Sequence, residues 1–266
     1  MKNKIGIVFV HGIVGNNRIF DFLVPLLPED CLVKYVVLDG HGGDALAFSR
    51  TSMAVWRRQV AEAVMEIAGV CNKVIGVGHS MGCLLLLENE VRSRVAGLYL
   101  LNPPLRIRLR IGLLTNAIKV ASGLTEGDPV ALAAKDAYGV SMDFNPLHYY
   151  GWPARYMELF AEIRRIRRSI FRGVSCPVRV VLAEKDEMVS VSSKEILQGN
   201  GDVNVVLLPE SRHYYYSPKD MEAICEVFTQ FWKYIGNSSF VSRYEPHALY
   251  LQCERVIGQY DLSVSV

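Results

Sequence analysis

A serine between two glycines stands where a predicted strand meets a predicted helix. Residues 78–82 read GHSMG, after the apolar run 73–77 and before the helical pattern 80–92. A G-x-S-x-G sequence in this position predicts a strained turn whose small neighbours let the strand and the helix pack closely around the serine. The start of the helix then directs backbone N–H groups at negative charge that forms beside the hydroxyl. We interpret Ser80 as a nucleophile.

A serine hydroxyl is a weak nucleophile and needs a general base, for which His213 is the best placed of the six histidines. It follows the last predicted strand, Val203–Leu208, in a loop at the carboxyl edge of the predicted sheet, and the Ser80 turn lies at the same edge. The other histidines lie in glycine turns, in the serine turn, in a long helical insertion or near the C-terminus: His11, His41, His79, His148 and His247. We therefore predict that Ser80 and His213 meet.

A catalytic histidine also needs a carboxylate that orients its ring. The predicted strand Val178–Ala183 runs directly into an acidic turn, where Asp186 is the best candidate and Glu187 and Glu184 are the alternatives. The end of the preceding strand offers Asn102, which carries an amide in place of a carboxylate. The sequence therefore predicts that Asp186 orients the histidine.

The first predicted strand ends in another glycine motif, HGIVG at residues 11–15. Its glycines allow the backbone to fold over the serine turn, so the N–H groups of Ile13 and Met81 are the expected donors to an oxyanion. Backbone donors of this kind require no particular side chain. A further motif, GHGGD at residues 40–44, is interpreted as shaping a turn.

Six short, continuous apolar runs alternate with helical patterns along the chain. The runs are Ile5–Val10, 34–38, 73–77, Gly97–Leu101, Val178–Ala183 and Val203–Leu208, and the helical patterns are 19–27, 52–68, 80–92 and 218–235. Continuous apolar strands are typical of a sheet covered by helices on both faces. Repeated strand–helix units predict an α/β fold with a mostly parallel sheet of about six strands.

One long interval breaks the alternation. Residues 103–173 contain no strand pattern but three helical ones, at 111–121, 129–138 and 155–171. An interval of this length is too long for a loop, so we predict a helical cap inserted after the fourth strand, with 11 basic and six acidic residues. The predicted core is then 1–102 and 174–236. Residues 237–266 form a C-terminal extension of unassigned role, whose apolar residues favour packing on the body.

Composition excludes several classes of function. Lys and Arg number 29 against 27 Asp and Glu, so no nucleic-acid partner is indicated. The six cysteines form no C-x-x-C pair, which predicts no zinc site and favours reduced thiols in a cytoplasmic protein. The apolar run at the N-terminus is too short for a signal peptide, and no run approaches a membrane span. No metal or cofactor is expected, and the oligomeric state is left open.

The motifs together resemble the α/β-hydrolase superfamily over residues 4–235. The elements HGxxG, GHG, GHSMG, KDEMV and RH occur in that order, and the order serine, aspartate, histidine is that of the superfamily. The resemblance is strongest to the bacterial carboxylesterase and monoacylglycerol-lipase group. It rests on VHGIVGN, on CPVRVVLAEKDEMV after the basic helix AEIRRIRRSIF, and on the small cap. It implies an α/β-hydrolase fold with helices flanking the sheet, and an acyl-enzyme on Ser80.

The chain departs from the superfamily pattern at two places. It begins almost on the first parallel strand, so we expect the antiparallel strands that often open this fold to be missing. Arg212 precedes the histidine where the family usually has glycine, and three tyrosines, residues 214–216, follow it. These tyrosines are candidates to line an acyl pocket, with simple packing as the alternative.

The predicted function is a serine hydrolase that cleaves carboxylic esters, either short- to medium-chain acyl esters or monoacylglycerols. Trp152, Tyr149 and Tyr214 are the candidate substrate-binding residues, although cap residues of this kind commonly serve packing. The basic excess of the cap keeps open a thioesterase or a C–C hydrolase that acts on an anionic substrate. An acyltransferase or perhydrolase with the same triad, and a non-catalytic ligand-binding protein of this fold, are further alternatives.

Overall fold

Six parallel strands form one sheet in the order β2-β1-β3-β4-β5-β6. The computed structural model describes residues 4–108, 119, 125–170, 175–198 and 201–237. The strands are β1 Ile5–Val10, β2 Leu32–Val36, β3 Lys73–His79, β4 Gly97–Leu101, β5 Val178–Ala183 and β6 Val203–Leu208. The predicted parallel sheet is confirmed, and among the described residues it has no antiparallel strand.

The helices flank this sheet on both faces. They are α1 Ala45–Arg50, α2 Met53–Ala68, α3 Met81–Leu86, α4 Asn89–Arg92, α5 Pro129–Ala137, α6 Trp152–Ile170, α7 Lys194–Leu197 and α8 Pro218–Asn237. Three 3₁₀ helices cover Asn17–Leu26, Pro146–Tyr149 and Val191–Ser193. Apolar side chains of α2, α3 and α6 form the core on one face, while those of the first 3₁₀ helix and α8 form it on the other. None of the helices in the described part of the chain combines the length and apolar character that a membrane span requires.

Strand β2 and the helix after Ser80 differ from what the sequence pattern predicts. Strand β2 was expected at 34–38 but ends at Val36. Its neighbour β1 ends at Val10, which pairs with Val36, so no strand continues beside residues 37 and 38. The Leu38 N–H donates instead to Nε2 of His11 at 3.2 Å. The single helix expected at 80–92 is two short helices, α3 and α4, with a break at Glu88.

The cap elements α5 and α6 lie between β4 and β5, as the sequence predicted. Residues 137–141 of the cap, here called the strap, hydrogen-bond to both glycine motifs of the body. The Gly139 N–H donates to the Val14 carbonyl at 2.8 Å, and the Gly139 carbonyl accepts from the Gly42 N–H at 2.5 Å. Gly139 lies so close to the Gly15 carbonyl that a Cβ would overlap it. The helix predicted at 111–121, apart from Lys119, and the extension beyond residue 237 lie outside the described residues.

Candidate active site

Ser80 occupies a strained turn between β3 and α3. Its backbone has φ 52° and ψ −120°, an uncommon conformation for a residue with a side chain. Two backbone hydrogen bonds hold the turn: the Ser80 N–H donates to the Leu101 carbonyl at 2.9 Å, and the Ser80 carbonyl accepts from the Cys83 N–H at 3.0 Å. The hydroxyl makes no hydrogen bond with another described residue. The turn therefore fixes the backbone and leaves the hydroxyl available.

The glycines of the GHSMG motif are required by the close approach of α3 to the sheet. A Cβ on Gly82 would overlap the Val10 carbonyl, so any side chain there would push α3 away from β1. A Cβ on Gly12, in the HGIVG motif, would lie 3.0 Å from the Ser80 Cβ. The backbone of residues 11–15 thus passes directly beside the serine.

The N–H groups expected to form an oxyanion hole belong to the residues that follow Gly12 and Ser80, whose backbones lie close together. Ile13 follows Gly12, and Met81 is the first residue of α3, whose N–H has no partner within the helix. Both residues are buried, and neither N–H donates to an acceptor among the described residues. Two unengaged backbone N–H groups beside Ser80 can donate hydrogen bonds to a substrate oxygen that becomes negatively charged.

His213 and Asp186 form a buried pair. His213 Nδ1 lies 2.7 Å from Asp186 Oδ2, and the side chains are 2% and 1% exposed. The second carboxylate oxygen, Oδ1, accepts the N–H groups of Met188 and Val189, each at 2.7 Å. Because the carboxylate can only accept a hydrogen bond from Nδ1–H, a neutral His213 carries its hydrogen on Nδ1 and presents Nε2 as an acceptor.

The peptide groups of His213 are held as firmly as its ring. Its N–H donates to Glu187 Oε2 at 3.4 Å, and its carbonyl accepts from His79 Nε2 at 3.0 Å and from Asn102 Nδ2 at 3.3 Å. His79 immediately precedes Ser80, so this bond places the His213 loop against the serine turn. Nε2 of His213 is buried and has no hydrogen-bond partner. No hydrogen bond joins it to Ser80 in this structure.

Asn102 and the pair Arg212–Glu187 are parts of this arrangement that the sequence did not reveal. Asn102 has φ 49°, and its Oδ1 accepts the Ala183 N–H at 2.9 Å, so one amide links β4, β5 and the histidine loop. A buried amide directly after a buried strand at the carboxyl edge was the available signal. Arg212 donates to Glu187 Oε1 at 2.6 Å, which gives the arginine at this unusual position a partner.

Two further buried histidines shape the glycine motifs. His11 Nδ1 lies 2.9 Å from the Gly12 carbonyl, and Nε2 of His41 accepts the Val14 N–H at 3.0 Å while its Nδ1 lies 3.2 Å from the Leu38 carbonyl. Burial lowers the pKa of His11 to about 4 and the pKa of His41 to about 3. Both rings are therefore neutral at pH 7, and they fasten the turns that flank Ile13.

The three candidate substrate-binding residues have different surroundings. Trp152 donates from Nε1 to the Ala45 carbonyl at 3.0 Å and packs on Phe48 with ring centroids 4.8 Å apart, so it fastens the cap to α1. Tyr149 packs on Trp152 and donates its hydroxyl to the Asp143 carbonyl at 2.6 Å. Tyr214 alone of the three contacts His213, with ring centroids 4.7 Å apart.

A cavity of about 340 Å³ lies beside the histidine loop. Its walls combine the tyrosines 214–216 with the first 3₁₀ helix and α5, and include Ile19, Phe22 and Leu132. The walls are mainly apolar, and the volume lies at the lower end of the range for small-molecule sites. Tyr214 therefore lies between this cavity and the His213 ring.

The arrangement as a whole has the parts of an acyl-transfer site. A hydroxyl on a strained turn, an imidazole with one free nitrogen and two unengaged backbone donors lie at one edge of the sheet. Among the described residues, no group of three or more histidine, cysteine and acidic side chains could hold a metal ion.

Comparison with known protein families identifies the class of this protein. A model of the alpha/beta hydrolase family matches residues 7–227. The chain belongs to that family, as its fold and motifs indicate. No curated protein matches the chain in sequence.

Solved structures with the same fold include several esterases and lipases. A structure of the metagenome-derived lipolytic enzymes LipS and LipT is 20% identical, with a TM-score of 0.66 over 88% of this chain and 95% of that chain. A soluble variant of monoglyceride lipase from Saccharomyces cerevisiae is 14% identical, with a TM-score of 0.64 over 88% and 87%. The enol-lactonase from Burkholderia xenovorans LB400 is 16% identical, with a TM-score of 0.59 over 87% and 92%. At these identities the likeness establishes the fold alone.

Proposed function

We propose that the protein is a serine hydrolase that cleaves carboxylic esters through an acyl-enzyme on Ser80. The observation that carries the proposal is the bonding of His213, whose N–H, carbonyl and Nδ1 are all engaged while Nε2 is buried and free. A buried polar atom without a partner is costly, and it persists where a reaction uses it. The strained turn of Ser80 beside this ring supplies the matching nucleophile.

The proposed reaction has two halves. Nε2 of His213 takes the Ser80 proton as the hydroxyl oxygen attacks the ester carbonyl, and the N–H groups of Ile13 and Met81 stabilise the resulting oxyanion. The protonated histidine then gives its proton to the departing alkoxide. In the second half, His213 activates water, which attacks the acyl-enzyme and releases the acid. Asp186 holds the imidazole in the required tautomer throughout.

The substrate class we propose is short- to medium-chain acyl esters or monoacylglycerols. The mainly apolar cavity beside Tyr214 supports it, as do the lipolytic enzymes and monoglyceride lipases among the structural neighbours. The described cap arginines favour a neutral ester over an anionic substrate. Arg155 pairs with Glu158, and Arg164 and Arg168 line a cavity on the far side of α3 from Ser80. The described cysteines are all free thiols, which supports a cytoplasmic location.

Hydrolysis of p-nitrophenyl esters from acetate to palmitate tests this proposal, with the wild type beside Ser80→Ala. We expect a maximum at one acyl chain length and a loss of activity in the variant of about 10⁴-fold or more. Labelling by a fluorophosphonate should modify the wild type at Ser80 and leave the variant unmodified. Activity that survives the substitution contradicts the role of Ser80. A labelled serine without ester turnover contradicts the substrate class but keeps the nucleophile.

A further inference from the structure

A second cavity, of about 470 Å³, lies where α4 meets the C-terminal half of α6. Its walls are formed by Asn89, Ala161, Arg164, Arg165, Arg168 and Ser169. Asn89 follows the end of α3, whose first residue adjoins Ser80, so the cavity is at the opposite end of that helix from the serine. The proposed hydrolase mechanism uses none of these residues.

The walls of this cavity carry more positive charge than the described acidic residues balance. Arg165 is engaged, because it contacts Glu88 and donates to both oxygens of Glu162, at 2.5 and 3.0 Å. Arg164 and Arg168 are exposed, lie four residues apart on the same face of α6, and make no ion pair with a described residue. Two guanidinium groups therefore border the cavity without a counter-ion.

A third guanidinium, which is buried, is bonded to one of the cavity's wall residues. Arg92 is 7% exposed, and its Nη2 donates to the carbonyl of Ser169, a cavity residue, at 3.4 Å. Its Nη1 is buried and has no hydrogen-bond partner, and no described carboxylate forms an ion pair with it. A buried guanidinium without a carboxylate partner is unfavourable, and an anionic ligand within reach of Nη1 would relieve that cost.

We propose that this cavity binds a small molecule that carries phosphate groups. Guanidinium groups bind phosphate oxygens through paired, charge-assisted hydrogen bonds. Arg164 and Arg168 provide two such groups on the cavity walls, and Arg92 is bonded to the wall residue Ser169. The volume exceeds that of a single phosphate, which favours a pyrophosphate or a nucleotide phosphate. This site would also explain the basic run of α6, which the ester hydrolase function leaves without a role.

Titration calorimetry of the full chain with inorganic pyrophosphate and with ADP tests the proposal, at an ionic strength held constant with NaCl. We expect saturable binding that weakens more than tenfold in the double variant R164Q/R168Q. The control R58Q/R167Q removes two exposed positive charges, one of them from the same helix, outside the cavity walls. It should retain the wild-type affinity within about twofold, because salt screens the interaction between the ligand and exposed charges that do not line the cavity.

The variant Arg92→Met separates binding from a structural role. If Arg92 serves a ligand, its replacement by an apolar side chain abolishes binding without lowering the melting temperature of the free protein. A lower melting temperature means that Arg92 is a structural residue and contradicts the proposal.

Three other outcomes overturn it. The wild type fails to bind either ligand; the two double variants lose affinity equally; or the protein binds only vesicles that contain phosphatidic acid, which assigns the arginines to a lipid surface. None of these readouts depends on ester hydrolysis, so the two proposals can fail separately.

Discussion

Three of the four buried histidines among the described residues lie in two regions with opposite bonding, while the fourth, His79, bonds to the His213 carbonyl. In the glycine motifs, His11 and His41 have both ring nitrogens within hydrogen-bond distance of the backbone. In the loop after β6, His213 has one ring nitrogen bonded to Asp186 and the other without a partner. All three rings are at least 93% buried, so burial alone does not separate them.

Among these three rings, the number of completed hydrogen bonds separates the two that hold backbone turns from His213, the proposed general base. A ring with both nitrogens bonded gains nothing from a further partner, and its low pKa keeps it neutral. A ring with one free nitrogen in an otherwise completed network can accept a proton without disturbing its surroundings. Three experiments break or sharpen this comparison, from the largest expected effect to the smallest.

The largest effect is expected from Asp186→Asn. An amide would donate to Nδ1 of His213, so the ring would carry its hydrogen on Nε2 and could no longer act as a base. We expect kcat for the best ester to fall about 10⁴-fold, with thermal stability nearly unchanged because Oδ1 can still accept its two backbone N–H groups. The control is Glu184→Gln, an exposed carboxylate in the same turn. A kcat of Asp186→Asn within tenfold of the wild-type value would contradict the role of His213 as the general base.

An intermediate effect is expected on stability at acid pH. Unfolding releases His11 and His41 to their ordinary pKa near 6.5, while their folded pKa values are about 4 and about 3. Between these values the unfolded chain binds more protons, so the free energy of unfolding falls as the pH falls below 6.5. Each ring contributes up to about 1.4 kcal/mol per pH unit. The decline stops only below the folded pKa values.

Denaturant unfolding at pH 7, 6 and 5 measures this slope. Burial raises the pKa of Glu162 to about 7, so its protonation increases the free energy of unfolding as the pH falls. The histidine contribution is therefore measured as the difference in slope between the wild type and a variant. His41→Gln, which keeps an acceptor for the Val14 N–H, should remove one histidine's share of the slope. Asn204→Gln, an exposed control without a titratable group, should leave it unchanged. Equal slopes in all three proteins would mean that His41 is not held neutral.

The smallest effect is expected from Asn102→Ala. The variant removes one of two donors to the His213 carbonyl and leaves the other, from His79, in place. We expect kcat to fall about ten- to a hundredfold with KM unchanged, because the ring loses orientation while the substrate pocket is untouched. Asn204→Ala, an exposed asparagine on β6, is the control. A change in KM alone would show that Asn102 does not act through His213.

The elements of the fold could be predicted from sequence because their signals are local. Continuous apolar runs predicted six parallel strands, and the segments of Ser80, Asp186 and His213 each follow one of these strands at its carboxyl end. The parallel direction of the strands was therefore sufficient to predict that these segments share one edge of the sheet. The strained turn at Ser80 could also be predicted from neighbouring residues alone, since only small residues fit around a serine in that conformation.

The remaining features depend on contacts between distant residues. The break between α3 and α4 falls at Glu88, whose partner Arg165 lies on α6. The role of Asn102 requires β5 and the histidine loop to be in place around it. Trp152 was a candidate for substrate binding, and its hydrogen bond to Ala45 depends on where the cap meets α1. Periodicity along one segment carries no information about such partners.

The strap constrains how this hydrolase can be altered in evolution or by design. Residues 137–141 of the cap bond to the turns that flank Ile13, whose N–H is a proposed oxyanion donor. A cap taken from a relative would have to supply glycine at position 139, where any side chain would strike the Gly15 carbonyl. Recombination that respects only the boundaries between helices and strands would therefore separate the cap from the turns beside Ser80 to which it is bonded.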